Sequence, residues 1–297
     1  MKKVFCDWGT TNLRAYLIEN NKVTDEYTTN EGLFTAKEIG FKKVLNKVLE
    51  YFEVSSDTQV KLSGMVGSKH GWKEAPYCET PVALEDLRDN FIGINALNNI
   101  EILGGVCHQM ADGRYDVMRG EEVQIFGILS KYPDAKRICL PGTHSKWVNT
   151  SEGVLTNFTT WMTGDFFNCL SQNTIFKEQM SGQDFNEKGF KNGVYASKNA
   201  GPLLNSSFYL RTEYLYGQVK SDEFYSYLSG FLIGNEIKDA AKDYEKIYLS
   251  GSEIMMDYYE KALKCYGIDS VKIHSAEATI LGMQSLTEEL VWGTLIL

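Results

Sequence analysis

What this chain lacks narrows it first. Only four histidines occur among its 297 residues, which gives a metalloenzyme built on imidazole ligands little to work with. Six cysteines (Cys6, Cys78, Cys107, Cys139, Cys169 and Cys265) lie far apart, and none forms a C-x-x-C pair. A disulfide framework and a structural zinc site are therefore not expected, and the thiols are expected to be buried. No apolar run is long enough to span a bilayer. The start Met1-Lys2-Lys3-Val4-Phe5-Cys6-Asp7 lacks the apolar core of a signal peptide. The expectation is a soluble cytoplasmic protein without a membrane partner. An excess of basic charge is missing too. The net charge of −9 argues against a general nucleic-acid binder. Any anion bound here needs positive charge gathered locally.

Several motifs are also absent. There is no G-x-x-x-x-G-K-[ST], so no P-loop. No G-x-G-x-x-G follows the first strand, which excludes the ordinary dinucleotide fold. Neither a G-x-S-x-G elbow nor an H-E-x-x-H helix occurs.

What is present starts with hydrophobic content of 43%, ample for a packed core in one large domain or two ordinary ones. The stretch Val4 to Leu17 reads as strand, tight polar turn and strand. Its turn holds Asp7, Gly9, Thr10, Thr11, Asn12 and Arg14. Glycine permits a backbone shape that side chains block. Hydroxyls and free N–H groups of such a turn can grip phosphate, and an aspartate can hold a divalent cation. The plain alternative is a hairpin with polar turn residues.

Further along, strand and helix signals alternate. Lys22 to Thr29 reads as a third strand. Ala36 to Phe52 carries apolar residues at helical spacing. Gln59 to Gly64 is a strand ending in glycine, and a polar, aromatic loop follows from Ser68 to Tyr77. Arg119-Gly120-Glu121-Glu122 opens a helix whose acids suit the positive end of its dipole. Arg137 to Val148 is again strand, Gly142-Thr143-His144-Ser145-Lys146 turn and strand. Gly153 to Trp161 is a third strand, and Asp165 to Ile175 a helix. Residues 178–201 read as a loop or short helical insertion with no assigned role. Asp222 to Asp243 is a helix, Ile247 to Ser252 a strand running into glycine, and Ala276 to Leu290 a closing helix.

The two halves echo each other. Each opens on a Gly-Thr hairpin, at Gly9-Thr10 and Gly142-Thr143. Each adds a third strand and a helix. Each later ends a strand in Leu-Ser-Gly, at Leu62-Ser63-Gly64 and Leu249-Ser250-Gly251. Three matches in one order predict a duplication, with two similar α/β domains facing a common cleft.

Asp7-Trp8-Gly9-Thr10-Thr11-Asn12-Leu13-Arg14 resembles the first phosphate motif of the actin, Hsp70 and sugar-kinase superfamily. Leu140 to Trp147 resembles its second phosphate motif, and Leu249 to Ser252 its adenosine motif. More specifically, the chain is similar to the 2-dehydro-3-deoxygalactonokinases, which show D-W-G-[ST]-T-N-L-R, G-M-V-G-S with G-W and A-P-Y, M-R-G-E-E and P-G-T-H-x-K-W. Here these stand as Asp7 to Arg14, Gly64 to Ser68, Gly71-Trp72, Ala75-Pro76-Tyr77, Met118 to Glu122 and Pro141 to Trp147. The joint pattern spans nearly the whole length.

That resemblance implies a fold of two duplicated ribonuclease H-like (actin-like ATPase) domains with mixed sheets flanking an interdomain cleft. It implies boundaries at 1–117 and 118–275, with 276–297 as a closing helix and tail. The implied reaction is ATP-dependent phosphorylation of the 6-hydroxyl of 2-dehydro-3-deoxy-D-galactonate, with Mg²⁺. Asp7 would organise the metal. Gly9, Thr10, Thr11, Asn12 and Arg14 would bind phosphate, as would Gly142, Thr143, His144 and Lys146; His144 and Lys146 as solvated turn residues is the alternative. Gly251 would let the backbone approach adenosine. Met65, Ser68, Lys69, Trp72 and Arg119 would meet the sugar acid, with His70 and Lys73 as further cations near its carboxylate. Trp72 filling the core and Arg119 in a structural ion pair stay open. Glu121 is the favoured base, Glu122 stands close behind, and Asp165 is a third candidate.

Other readings remain at this stage. One is a kinase for another sugar or sugar acid, such as 2-dehydro-3-deoxygluconate. Another is a non-catalytic nucleotide-binding relative. The apolar tail Val291 to Leu297 leaves a homo-oligomer open.

Overall fold

The structure is a computed structural model that describes residues 2–20, 22–94, 97–180 and 184–287. The chain divides into two compact units. Unit 1 comprises Met1–Asp134, Thr150–Asn157 and Ala276–Leu297; unit 2 comprises Ala135–Asn149 and Phe158–Ser275.

Unit 1 opens with β1 (Lys2–Trp8), β2 (Leu13–Glu19) and β3 (Lys22–Thr29), then α1 (Leu33–Ile39) and α2 (Phe41–Tyr51). It continues through β4 (Gln59–Gly64), β5 (Tyr77–Glu79), α3 (Leu84–Arg88), β6 (Phe91–Ile94), β7 (Leu97–Leu103), β8 (Gly105–Gln109), β9 (Tyr115–Met118) and α4 (Glu121–Lys131). Six strands form a mixed sheet in the order β3-β2-β1-β4-β7-β6. Val4, Cys6 and Trp8 of β1 fall on one face at the two-residue strand period. With Leu13, Ala15 and Leu17 of β2 they pack against Val44, Leu45 and Val48 of α2.

Helical spacing predicts one helix over 36–52, but two form. Gly40 breaks them with φ +100°, a conformation open to glycine and costly for other residues. A second, three-stranded sheet, β5-β8-β9, has no counterpart in the sequence reading, because its strands are short.

Unit 2 holds β10 (Arg137–Leu140), β11 (Ser145–Ser151), β12 (Val154–Trp161) and α5 (Thr163–Asn173). These are followed by α6 (Glu187–Lys198), α7 (Leu203–Leu215), α8 (Ser221–Ala240), β13 (Lys246–Gly251), α9 (Glu253–Tyr266) and β14 (Asp269–His274). Its sheet runs β12-β11-β10-β13-β14. β10 is antiparallel to β11 and parallel to β13, as β1 is antiparallel to β2 and parallel to β4. The duplicated pattern read from the two Gly-Thr hairpins is thus repeated over five strands, β3-β2-β1-β4-β7 against β12-β11-β10-β13-β14, with β6 an addition to the first sheet.

The segment 178–201 contains α6. Asn186 caps it by accepting the Gly189 N–H at 2.9 Å. Glycines on both helices bring α6 against α8: a Cβ at Gly193 would lie 2.1 Å from the Tyr227 carbonyl oxygen, and one at Gly230 2.1 Å from that of Phe190.

The expected boundary at 117/118 moves to Asp134. The last helix, α10 (Ser275–Thr287), explains why. A Cβ at Gly127 of α4 would stand 1.9 Å from the Ala278 carbonyl oxygen, and one at Gly282 of α10 1.9 Å from that of Val123. Backbone meets backbone, so α4 and α10 form one piece of unit 1. Residues 288–297, with the end of the expected closing helix and the apolar tail, lie outside the described residues. No helix among the described residues is long and apolar enough to cross a membrane. The expectation of buried thiols needs correction: Cys6 and Cys139 are buried, but Cys169 is exposed and the other three are half-buried.

Candidate active site

In unit 1 the turn between β1 and β2 is fixed by its backbone. Gly9 N–H donates to the Asn12 carbonyl at 2.9 Å. The chain entering α1 reaches back: Gly32 N–H donates to Thr11 O at 2.9 Å and Leu33 N–H to Gly9 O at 3.0 Å. A Cβ at Gly32 would lie 2.4 Å from the Thr11 carbonyl carbon, so only glycine fits there. With the turn's carbonyls occupied on that side, Thr10, Thr11, Asn12 and Arg14 are left exposed.

Asp7 stands opposite Arg14 across β2 and opposite Ser63 across β4. Burial pushes its carboxyl up to about 6, Arg14 offsets part of that rise, and the Glu121 charge adds to it. Gly64, at φ +88°, lies so close to Trp8 that a Cβ would sit 2.7 Å from its carbonyl oxygen. Gly120, at φ +106°, packs on Gly64, and its Cβ position is 4.0 Å from Asp7 Oδ1. Two glycines therefore bring the start of α4 beside Asp7.

The two acids that open α4 differ. Glu122 is fully buried and accepts the Gly120 N–H on both oxygens, at 2.8 and 2.6 Å. Burial first, and Glu121 second, push its carboxyl up to about 8. Glu121 is half-buried and accepts the Arg119 backbone N–H at 3.1 Å.

The loop after β4 is a compact coil. Trp72 N–H donates to Val66 O at 2.8 Å, and Ala75 N–H to Gly67 O at 2.9 Å. Arg119 clamps it: Nη2 donates to Ala75 O at 2.7 Å, and the guanidinium lies 4.3 Å from the centre of the Tyr77 ring. Its Nε and Nη1, with Ser63 Oγ, Ser68 Oγ and Trp8 Nε1, are buried polar atoms without a hydrogen-bond partner. Such groups are rare and call for a reason. Met65 is half-buried, and Lys69 and His70 are exposed. Lys73 donates to Gly93 O at 2.7 Å. Trp72 stacks on Phe41 with ring centres 5.8 Å apart and meets Trp8 edge-on, so its ring is part of the core wall.

In unit 2 the Gly142 to Lys146 turn is packed by α5. A Cβ at Gly164 would stand 2.6 Å from Thr143 Cα, and Asp165 N–H donates to Thr143 O at 3.2 Å. Thr143 and His144 are exposed. Lys146 is 5% exposed, not the solvated side chain of the alternative reading, and its Nζ donates to His144 O at 3.2 Å. His144 Nε2 and Asp165 Oδ2 are 2.6 Å apart. The Asp165 carboxylate is engaged by that ring.

Next to the turn lies a cavity of about 430 Å³, lined by Gly142, Thr143, Thr163, Gly164, Phe167, Tyr225, Ser229, Ser252, Met255 and Tyr258, among others. Its size and apolar, aromatic lining suit a small organic ligand. The lining on α5, α8 and α9 was not found from sequence; only Thr163-Gly164 ahead of Asp165 offered a turn-like signal. Gly251 stands one residue before Ser252, which caps α9 by accepting the Met255 N–H at 3.4 Å.

The sequence model of the 2-keto-3-deoxy-galactonokinase family matches residues 7–286. The chain is 32% identical, over 96% of both chains, to a Rhizobium meliloti protein named a probable 2-dehydro-3-deoxygalactonokinase. It is 28% identical, over 94% of its length and 95% of the relative's, to the 2-dehydro-3-deoxygalactonokinase of Escherichia coli. A crystal structure from Sinorhizobium meliloti, assigned to the same activity, superposes with a TM-score of 0.89 at 30% identity, covering 96% and 97% of the two chains. The activator of 2-hydroxyisocaproyl-CoA dehydratase from Clostridium difficile shares the fold at 13% identity and a TM-score of 0.51.

Proposed function

The chain belongs to the 2-keto-3-deoxy-galactonokinase family, and on that premise we propose how its residues transfer phosphate from ATP to the 6-hydroxyl of 2-dehydro-3-deoxy-D-galactonate. It is a kinase, with the actin-like ATPase fold, that phosphorylates the keto-deoxy sugar acid. The observation that carries the site reading is that a Cβ built on Gly120 would lie 4.0 Å from Asp7 Oδ1, with the Glu121 charge acting on the Asp7 carboxyl. It sets a strand-end carboxylate and a helix-start carboxylate side by side.

Asp7 fits Mg²⁺. It offers hard carboxylate oxygens, and Mg²⁺ uses one or two such groups with phosphates and water. When bound, the ion neutralises charge on the transferring phosphoryl group. Asp7 holds its charge at neutral pH, since its carboxyl titrates at about 6. Gly9, Thr10, Thr11, Asn12 and Arg14 offer N–H, hydroxyl and guanidinium donors to phosphate oxygens. Gly142, Thr143, His144 and Lys146 supply a second donor set. The unit 2 cavity takes the adenosine, with Gly251 and Ser252 at its edge.

Glu121 takes the proton from the 6-hydroxyl. The buried, Gly120-bonded Glu122 is a helix-start support. The coil from Met65 to Trp72 holds the sugar acid with Ser68 and Lys69, and Arg119 fixes that coil. The protein acts in the cytoplasm, with ATP and the sugar acid as its small-molecule partners.

The test is ADP release with purified protein, ATP, Mg²⁺ and a panel of sugar acids. Turnover with 2-dehydro-3-deoxygalactonate, and less with the gluco isomer, supports the reading. Turnover confined to neutral sugars, or none with any acceptor, refutes it.

A further inference from the structure

We propose that Glu236 is the positioning residue of the unit 2 cavity: a single buried carboxylate to which the elements lining that cavity are tied. The proposal rests on reading the cavity as the ATP site. Glu236 lies on α8 and is 1% exposed. Its Oε1 accepts Trp147 Nε1–H of β11 at 2.6 Å. Its Oε2 accepts the Tyr259 hydroxyl of α9 at 2.8 Å. The Thr163 side chain, at the start of α5, is bonded to it as well. The Tyr259 hydroxyl, while donating to Glu236, also pairs with Ser145 Oγ at 2.9 Å. Ser145 closes the Gly142 to Lys146 turn.

The cavity is lined from those same places. Gly142 and Thr143 come from the turn before β11, Thr163 from α5, Ser229 from α8, and Met255 and Tyr258 from α9. Four separate chain segments thus meet the ligand space on one side and one carboxylate on the other.

A buried carboxylate is a costly way to hold a core together, since well-packed apolar side chains do so at least as well. Burial holds the Glu236 carboxyl above its ordinary range, which is the mark of that cost. What the group adds is direction. Donors from three elements must converge on two oxygens, and each donor is thereby fixed in place. Apolar packing alone would leave the turn, α5 and α9 free to shift by the few tenths of an ångström that decide whether phosphate donors align.

The experiment uses full-length Glu236→Gln and Tyr259→Phe, with thermal unfolding and separate KM values for ATP and for 2-dehydro-3-deoxygalactonate. Gln keeps the size and one acceptor but sets an NH₂ against a donor. We expect the KM for ATP to rise about tenfold in Glu236→Gln, the effect of one broken buried hydrogen bond. The KM for the sugar acid should stay within about twofold, as only the nucleotide side is touched. Tyr259→Phe, which keeps the ring and loses the hydroxyl, should shift the same constant in the same direction and carries the test if the Gln variant does not fold. An unchanged KM for ATP in both folded variants overturns the proposal. So does an equal rise in both KM values, which marks a general loss of structure. Ser229→Phe, which fills the cavity, tests the underlying reading separately: lost ATP binding supports the nucleotide assignment, and unchanged ATP binding overturns it whatever Glu236 does.

Discussion

The backbone N–H of Gly120 points at the side chain of Glu122, two residues on, and is held by both of its oxygens at 2.8 and 2.6 Å. The carboxyl is thereby turned inward at the first turn of α4 and fully buried. Its neighbour Glu121 is the acid of the pair that keeps partial exposure.

Glu121→Gln should therefore lower kcat by about a hundredfold or more while leaving the KM for ATP within about twofold, the pattern of a lost general base. Glu122→Gln, which can still accept from Gly120, should keep kcat within about tenfold. Steady-state assays of the two variants decide it. A near-normal Glu121→Gln would move the base to another carboxylate.

The buried carboxyl also sets a pH dependence. Glu122 titrates near 8 in the folded chain against an ordinary value of 4.5. The folded state holds this proton where the unfolded state has lost it. Stability from this group is therefore full below about pH 4.5 and declines as pH rises through 8. Glu122→Gln should flatten that decline and gain roughly 1–3 kcal/mol over the parent at pH 9. Urea unfolding at pH 6 and pH 9 measures it; an equal gain at both values would refute the assignment.

Asp7→Asn keeps the shape of the strand end and removes the charge. Turnover should fall by at least about a hundredfold at every Mg²⁺ concentration, as expected where a carboxylate organises the ion. Folding should be retained, because burial already penalises the charged form. A Mg²⁺ titration of rate, with thermal unfolding alongside, separates the two.

Asp165→Asn is expected to change kcat by less than about fivefold and stability by less than about 1 kcal/mol. Its ion pair with His144 is close to half exposed on both sides, and such pairs contribute little. A kcat loss near that of Glu121→Gln would make Asp165 the base instead.

At the α4–α10 crossing, Gly282→Ala puts a methyl group 1.9 Å from the Val123 carbonyl oxygen. The helices must separate, at about 1–3 kcal/mol. Gly267→Ala is a poor control because that glycine has positive φ. Gly142→Ala is the better control for unfolding, since no atom lies within 4 Å of its Cβ position.

Much of this arrangement could be read from residues alone. The repeated Gly-Thr hairpins and Leu-Ser-Gly strand ends announced two sheets of one topology, because period-two burial and glycine turns are local signals. The acids at Glu121 and Glu122 were placed at a helix start for the same reason. Which of the two is fully buried was not legible, since it depends on which carboxyl the Gly120 N–H captures. Nor was the helix break at Gly40, where a single φ interrupts an otherwise regular apolar spacing. The unit 2 cavity escaped notice because its lining comes from α5, α8 and α9, which are far apart in sequence. That the first stretch of unit 1 runs to Asp134 was hidden for a related cause: the partner of α4 lies some 150 residues downstream, at Ala278 and Gly282.

That separation bears on the order in which the protein is made. When Gly127 leaves the ribosome, the helix it waits for is still untranslated. At 5–20 residues per second the delay is roughly 8–30 s. In that interval β10 to β14 are completed in order, so the second unit has its full sheet while the first still shows a bare glycine groove on α4. The chain of the second unit is therefore synthesised in full before that of the first. An early stop after Ser275 would release a chain with all of the second unit, and with Glu121 and Glu122 on a helix that lacks its packing partner.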